Sequence, residues 1–305
     1  MSLRRTLNAT LRKTTGLELR RAATRPAAPP APKKAQPQKA PRPKPVEFRA
    51  TQNPELDRLL HKPVFVMSPV RSGSTLLRVL LDGHSQLLAP HELHIRRLTV
   101  GHSTQLAKKS MEVLDLDTAD LEHLLWDRVM HRELVKHGKE FIVDKTPSNA
   151  FAWKRISACW PDARYIFLLR HPDSIARSWH EADPEKRTRE EAAEDALRYM
   201  KATERARTGL SGHTVRYEDL TSDPETTLKG ICSFLDLPFE PDMLEYGPRG
   251  DGDLTKGLGD WRDKIRSGSV QPGRDLPAFS DVPAVLRPMC EAWGYTEDRE
   301  GAASA

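Results

Sequence analysis

Three runs of consecutive apolar residues, at 64–67, 141–143 and 165–169, are too short for helices and lack polar alternation, so they are expected as strands buried on both faces. Residues 213–217 form a fourth, weaker candidate. Stretches 74–83, 120–137, 149–159, 174–181 and 189–207 carry helical patterns, and 282–293 is expected as a final helix. The last of the five, densely charged with alternating sign, reads as a solvated helix. Strand alternating with helix predicts an α/β fold, a parallel sheet flanked by helices on both faces. In such folds ligands bind beyond the carboxyl ends of the strands.

The apolar pattern starts only near residue 46. Before it, Pro26, Pro29, Pro30, Pro32, Pro37, Pro41, Pro43 and Pro45 remove backbone donors from a segment with no apolar face to bury. Residues 1–45 are therefore expected as a basic, Pro/Ala/Lys-rich disordered tail and linker, and 46–305 as one domain. Leu3, Leu7 and Leu11 among arginines fit a short amphipathic helix making weak contact with an anionic membrane surface, although a solvated tail is the plainer reading.

Charge divides at the same place. Residues 1–49 hold 13 Lys or Arg and two acids, Glu18 and Glu47; the whole chain of 305 residues is only +5, so the remainder is acidic. A body without its own basic balance argues against a nucleic-acid partner. No run is long and apolar enough to span a membrane, and a cytoplasmic protein is expected. Cys159, Cys232 and Cys290 have no paired spacing, which predicts buried, reduced thiols rather than disulfides or a zinc site.

The segment after each strand carries the candidate chemistry. After the first come Arg71, Ser72, Gly73, Ser74 and Thr75, a small-residue turn opening a helix. Backbone N–H groups at a helix N-terminus cradle anions, Gly73 permits close approach, and Arg71 can fork onto two oxygens. The Lys of a Walker A loop is missing, which weakens a kinase reading; an ordinary capped turn is the plainer alternative. After the third strand, Arg170 and, eight residues later, Ser178 can clamp a second phosphate.

With these residues in order, the chain resembles the PAPS-dependent sulfotransferases, which have a P-loop-like fold and use 3′-phosphoadenosine 5′-phosphosulfate. The resemblance implies that residues 71–75 hold the 5′-phosphosulfate and that Arg170 and Ser178 hold the 3′-phosphate. Tyr217-Glu218-Asp219 looks like the family's YED segment, whose Tyr contacts the base. Lys256-Gly257-Leu258-Gly259-Asp260-Trp261-Arg262 looks like its late KGxxGDW loop, with one residue fewer between the glycines, and assigns Lys256, Gly257, Trp261 and Arg262 to the nucleotide.

Sulfuryl transfer needs an in-line acceptor oxygen, a base, and cations on the leaving phosphate. Arg71 is the first cation. Lys145, at a strand end, is the second, and the tyrosylprotein branch of the family has a catalytic Lys in the corresponding segment. Glu92 falls 21 residues after Arg71, as the base does in that branch, with His91 and His94 as further candidates; a carboxylate base predicts a partly desolvated pocket. The reading is a metal-independent sulfotransferase acting on a small-molecule, glycan or lipid hydroxyl. A P-loop kinase-like phosphotransferase and a non-catalytic nucleotide-binding module recruited by the tail are the alternatives. Residues 247–277, rich in glycine, read as a lid or as a plain surface loop.

Overall fold

A computed structural model of the chain describes Lys13 and residues 48–51, 53–245, 270–271 and 273–296. The chain divides into two units between Pro45 and Val46, and the fold below belongs to the second. Five strands, β1 (Val64–Met67), β2 (Leu87–Leu88), β3 (Phe141–Asp144), β4 (Arg164–Leu169) and β5 (His213–Arg216), form one sheet in the order β2-β3-β1-β4-β5. Every pairing is parallel, with Phe65 opposite Asp144 and Met67 opposite Phe167. The expected α/β class holds. Strand β2 was not anticipated, because two residues carry no periodicity.

Alternation along the central strand sends Val64 and Val66 to one face and Phe65 and Met67 to the other. The first face packs on helices α1 (Ser74–Asp82) and α2 (Pro224–Phe234) through Leu77, Leu81, Leu228 and Ile231. The second packs on α3 (Thr118–His137) and α4 (Trp153–Cys159) through Trp126, Met130, Ile156 and Trp160. At roughly 25 cal/mol per Å² of apolar surface, side chains such as Trp126 and Trp160, both fully buried, dominate that face. Helix α3 starts at a reciprocal capping box between Asp117 and Asp120 and stops at Gly138, whose φ of 62° suits glycine.

Two expectations are corrected here. The charged helix α5 (Arg189–Gly209) is not a solvated rod: Ala192, Ala193, Ala196, Leu197, Met200 and Thr203 recur at helical spacing and are buried. Small side chains hid that face from a reading dominated by charge. The last helix, α6 (Arg287–Trp293), is shorter than the 282–293 expected, since Pro283 and Pro288 restrict where its first turn can form. Cys159, Cys232 and Cys290 are buried free thiols, as expected, and burial pushes them up to about 12, 11 and 12 respectively. Among the described residues no helix is long and apolar enough to cross a membrane.

Candidate active site

The carboxyl ends of β1, β3, β4 and β5 open on one edge of the sheet, where order about the central strand switches direction. Residues 68–73 leave β1 as the loop expected to cradle phosphate. Arg71 has a φ of 61° and Gly73 one of 86°, so two of its residues sit in the left-handed region. At Gly73 the constraint is double, because a Cβ there would collide with the Tyr217 ring. Ser72 turns its hydroxyl back to the Pro69 carbonyl, 2.9 Å away, so that hydroxyl is committed within the loop. Ser68 is fully buried, and its hydroxyl has no hydrogen-bond partner.

A second cationic group lies beside the loop. The segment after β4 enters helix α7 (Pro172–Glu181), with Pro172 preset for a first helical turn. Arg170 donates to the Arg71 carbonyl at 2.9 Å and stacks on the Tyr217 ring at 4.3 Å. Arg71 in turn donates its Nε–H to Ser178 Oγ at 3.1 Å. Burial, then the neighbouring Arg170 charge, lowers Arg71 from its ordinary value; burial likewise lowers Arg170. The Nε–H groups of Arg170 and Arg177 are buried without a partner. The like charges of Arg177 and Arg170 disfavour each other, and a neighbouring anion would offset that and meet the unpartnered donors.

The third group runs along a seam between residues 92–96 and 145–151. Lys145, only 1% exposed at the end of β3, donates to Glu92 Oε1 at 2.7 Å, and Glu92 itself is 13% exposed. His94 Nε2 lies 3.3 Å from the other Glu92 oxygen. One step along, the His94 N–H donates to Thr146 Oγ1 at 3.3 Å, and Thr146 donates to the fully buried Asp144 at 2.7 Å. Asn149 holds the second Asp144 oxygen at 2.7 Å. Burial raises Asp144 above the ordinary carboxylate value, while these two hydrogen bonds pull it down. Farther still, Arg96 lies over the Phe151 ring at 5.7 Å.

A family model described as "Sulfotransferase family" matches residues 63–241, more than half of the chain and all of the edge just described. The chain belongs to the sulfotransferase family. Protein-tyrosine sulfotransferase 1 of Danio rerio is 25% identical over 268 residues, 76% of this chain and 72% of that protein. Nodulation protein NoeE of Sinorhizobium fredii is 28% identical over 125 residues, 37% of this chain and 30% of that protein. The sulfotransferase domain of the Synechococcus PCC 7002 olefin synthase superposes with a TM-score of 0.55 at 23% identity, over 78% of this chain and 98% of that one, and supports the P-loop-like fold.

In this sulfotransferase the structure brings together Arg71, Gly73, Arg170, Ser178 and Tyr217 as one group, and Glu92, His94 and Lys145 as another. The desolvated setting expected for Glu92 is present, whereas His91 is exposed. Ser74 is buried at the start of α1, and Thr75 follows it. Lys256, Gly257, Trp261 and Arg262 lie outside the described residues, as do most of 247–277 and all but Lys13 of 1–45. Sequence reasoning missed Ser68, Arg177 and Arg274, although Arg177 directly precedes Ser178. The charges of Arg274 and Arg177 both act on Arg170, and Arg274 is held by Glu181 at 2.9 Å. It also missed Asp144 and Thr146, whose tie to His94 joins segments remote in sequence. Among the described residues no three His, Cys, Asp or Glu side chains cluster as a metal site.

Proposed function

We propose that this sulfotransferase moves a sulfuryl group from 3′-phosphoadenosine 5′-phosphosulfate to an acceptor hydroxyl, with Glu92 as base and Lys145 and Arg71 as the cations that meet the leaving group. The observation that carries the reading is the buried Lys145–Glu92 pair at 2.7 Å, on the same sheet edge as the paired arginines. The residues present suit the co-substrate. Orphaned buried donors on Arg170 and Arg177, with Ser178, fit a 3′-phosphate; the backbone of residues 71–75 fits the 5′-phosphosulfate; and Tyr217, stacked under Arg170, offers a ring edge to the base.

Each residue then has a defined task. Glu92 takes the proton of the acceptor hydroxyl as that oxygen bonds to sulfur and the bond from sulfur to the bridging phosphate oxygen breaks. Lys145 has three N–H donors and spends one on Glu92, so it keeps the others for the sulfonate and the bridging oxygen. Arg71 neutralises charge developing on the departing 3′,5′-ADP. Arg170 and Ser178 bind a group that does not react, and so set affinity rather than rate.

Calorimetric titration with 3′,5′-ADP, with and without Mg²⁺ and beside ATP, tests the donor. Metal-independent micromolar binding of the bisphosphate with much weaker ATP binding is expected; preference for Mg-ATP would replace the reading with phosphoryl transfer.

A further inference from the structure

The carboxylate of Glu218 is not turned toward the cleft. One oxygen accepts from the His171 N–H at 3.0 Å, and the other accepts from the Tyr295 hydroxyl at 2.6 Å. His171 is the residue directly after Arg170, and Glu218 is the residue directly after Tyr217. One carboxylate therefore ties together the backbone positions of the two residues whose side chains stack at 4.3 Å in the second anion group.

The other half of the tie comes from near the end of the described chain. Helix α6 stops at Gly294, φ 70°, and the turn brings the Tyr295 N–H to the Cys290 carbonyl at 2.8 Å. The Tyr295 ring meets the His171 ring edge-on at 5.1 Å and carries the Arg216 guanidinium at 4.6 Å. Arg216 also donates to the Trp293 carbonyl, and Trp293 Nε1 donates to Glu204 at 2.9 Å on helix α5. Burial, with the Glu218 charge next, raises the Tyr295 hydroxyl far above its ordinary value, so it remains a donor across the neutral range. Burial, then the charges of Arg177 and Arg170, lowers His171 to about 4 and keeps its ring neutral.

We infer that Tyr295 is a positioning residue for the nucleotide site, fixing Arg170 and Tyr217 relative to each other through Glu218. Tyr295 touches neither the reacting centre nor the phosphate loop, so its effect is carried by where Arg170 stands. The inference rests on the proposed donor, and specifically on Arg170 meeting the 3′-phosphate.

The test compares two probes by calorimetry, 3′,5′-ADP and 5′-AMP, which differ only in that phosphate, on the full chain and on Tyr295→Phe. The wild type is expected to prefer the bisphosphate. In Tyr295→Phe, which removes one oxygen, affinity for 3′,5′-ADP should fall roughly tenfold while affinity for 5′-AMP changes less than about twofold, the size expected when a charge-assisted hydrogen bond is lost from a buried carboxylate. General loosening of the fold would weaken both probes alike and would overturn the inference, as would an undiminished preference. Should Tyr295→Phe fail to fold, Glu218→Gln, which keeps an oxygen for the His171 N–H, is held to the same criterion. A wild type that binds neither probe, or both equally, sinks the donor assignment itself; a wild type that prefers the bisphosphate beside a variant that also does sinks only the role of Tyr295.

Discussion

On the proposed nucleotide side of the cleft, side chains from four separate places in the chain reach one another and one another's main chain: Arg170 meets the Arg71 carbonyl and the Tyr217 ring, and Glu218 meets the His171 N–H and the Tyr295 hydroxyl. On the other side, residues 92–104 combine the Glu92–Lys145 pair and the buried Ile95 side chain with main-chain ties: the His94 N–H on Thr146, the Val100 N–H on Glu122 at 3.2 Å, and the Leu98 carbonyl on Trp126 at 2.9 Å. The helix that follows, Gln105–Val113, buries none of its residues and exposes Leu106 and Val113. Under the proposed function, the difference is that of a fixed co-substrate on the first side and a variable acceptor on the second. Contacts between remote segments fix the first side, whereas the exposed helix Gln105–Val113 on the second can change its side chains without disturbing the core.

Exchanging Glu92 for Gln should break the comparison most severely, because the proposed base takes part in the reaction itself. Transfer should fall by about three orders of magnitude, in the range of a lost general base, while calorimetric affinity for 3′,5′-ADP stays within about twofold. Weakened nucleotide binding would instead make Glu92 a holder of Lys145. On the nucleotide side alone, Gly73→Ala forces a Cβ into the Tyr217 ring at a φ of 86°. Affinity for 3′,5′-ADP should drop at least about tenfold, given that a strained left-handed residue costs on the order of 1–3 kcal/mol before the collision is counted; unchanged affinity would show that the ring moves freely.

The smallest effect separates the two sides by pH. His171 stands behind the nucleotide group and is lowered by burial to about 4, while His123, beside Trp126 behind the opposite segment, is lowered by burial to about 3. Both folded values lie below the ordinary 6.5, so the unfolded chain takes up protons that the folded chain declines. Stability from these two groups is complete above about pH 6.5 and is lost as the pH falls toward 4 and then 3. Urea midpoints at pH 7, 5.5 and 4.5 should decline in that order, and His171→Asn should flatten part of the decline; an unaltered slope in that variant would remove His171 from the account.

Much of this arrangement was legible in the chain itself, for a local reason. Arg71, Lys145 and Arg170 each follow a strand that begins as a run of apolar residues, so position alone placed them on one edge, whereas Tyr217 follows the weaker strand His213–Arg216 and was assigned by family resemblance. Glu92 was assigned by family resemblance, since the strand before it is only Leu87–Leu88. The ties between segments were not legible. Nothing near Asp144 announces that it reaches His94 through Thr146, and nothing near Glu218 announces Tyr295, 77 positions away. Such contacts depend on where the sheet brings two loops, which local periodicity does not encode. The alanine face of α5 escaped for another reason, because small apolar side chains among many charges give little amphipathic contrast.

The three buried thiols leave the folded protein spectroscopically silent toward cysteine reagents, because a thiol pushed up to about 11 or 12 presents almost no thiolate at neutral pH. A single cysteine introduced at exposed Leu106 would then be the one position a maleimide dye labels. The native chain thus already provides the background for watching the exposed helix Gln105–Val113 by fluorescence as nucleotide arrives, with no need to remove Cys159, Cys232 or Cys290 from the core they fill.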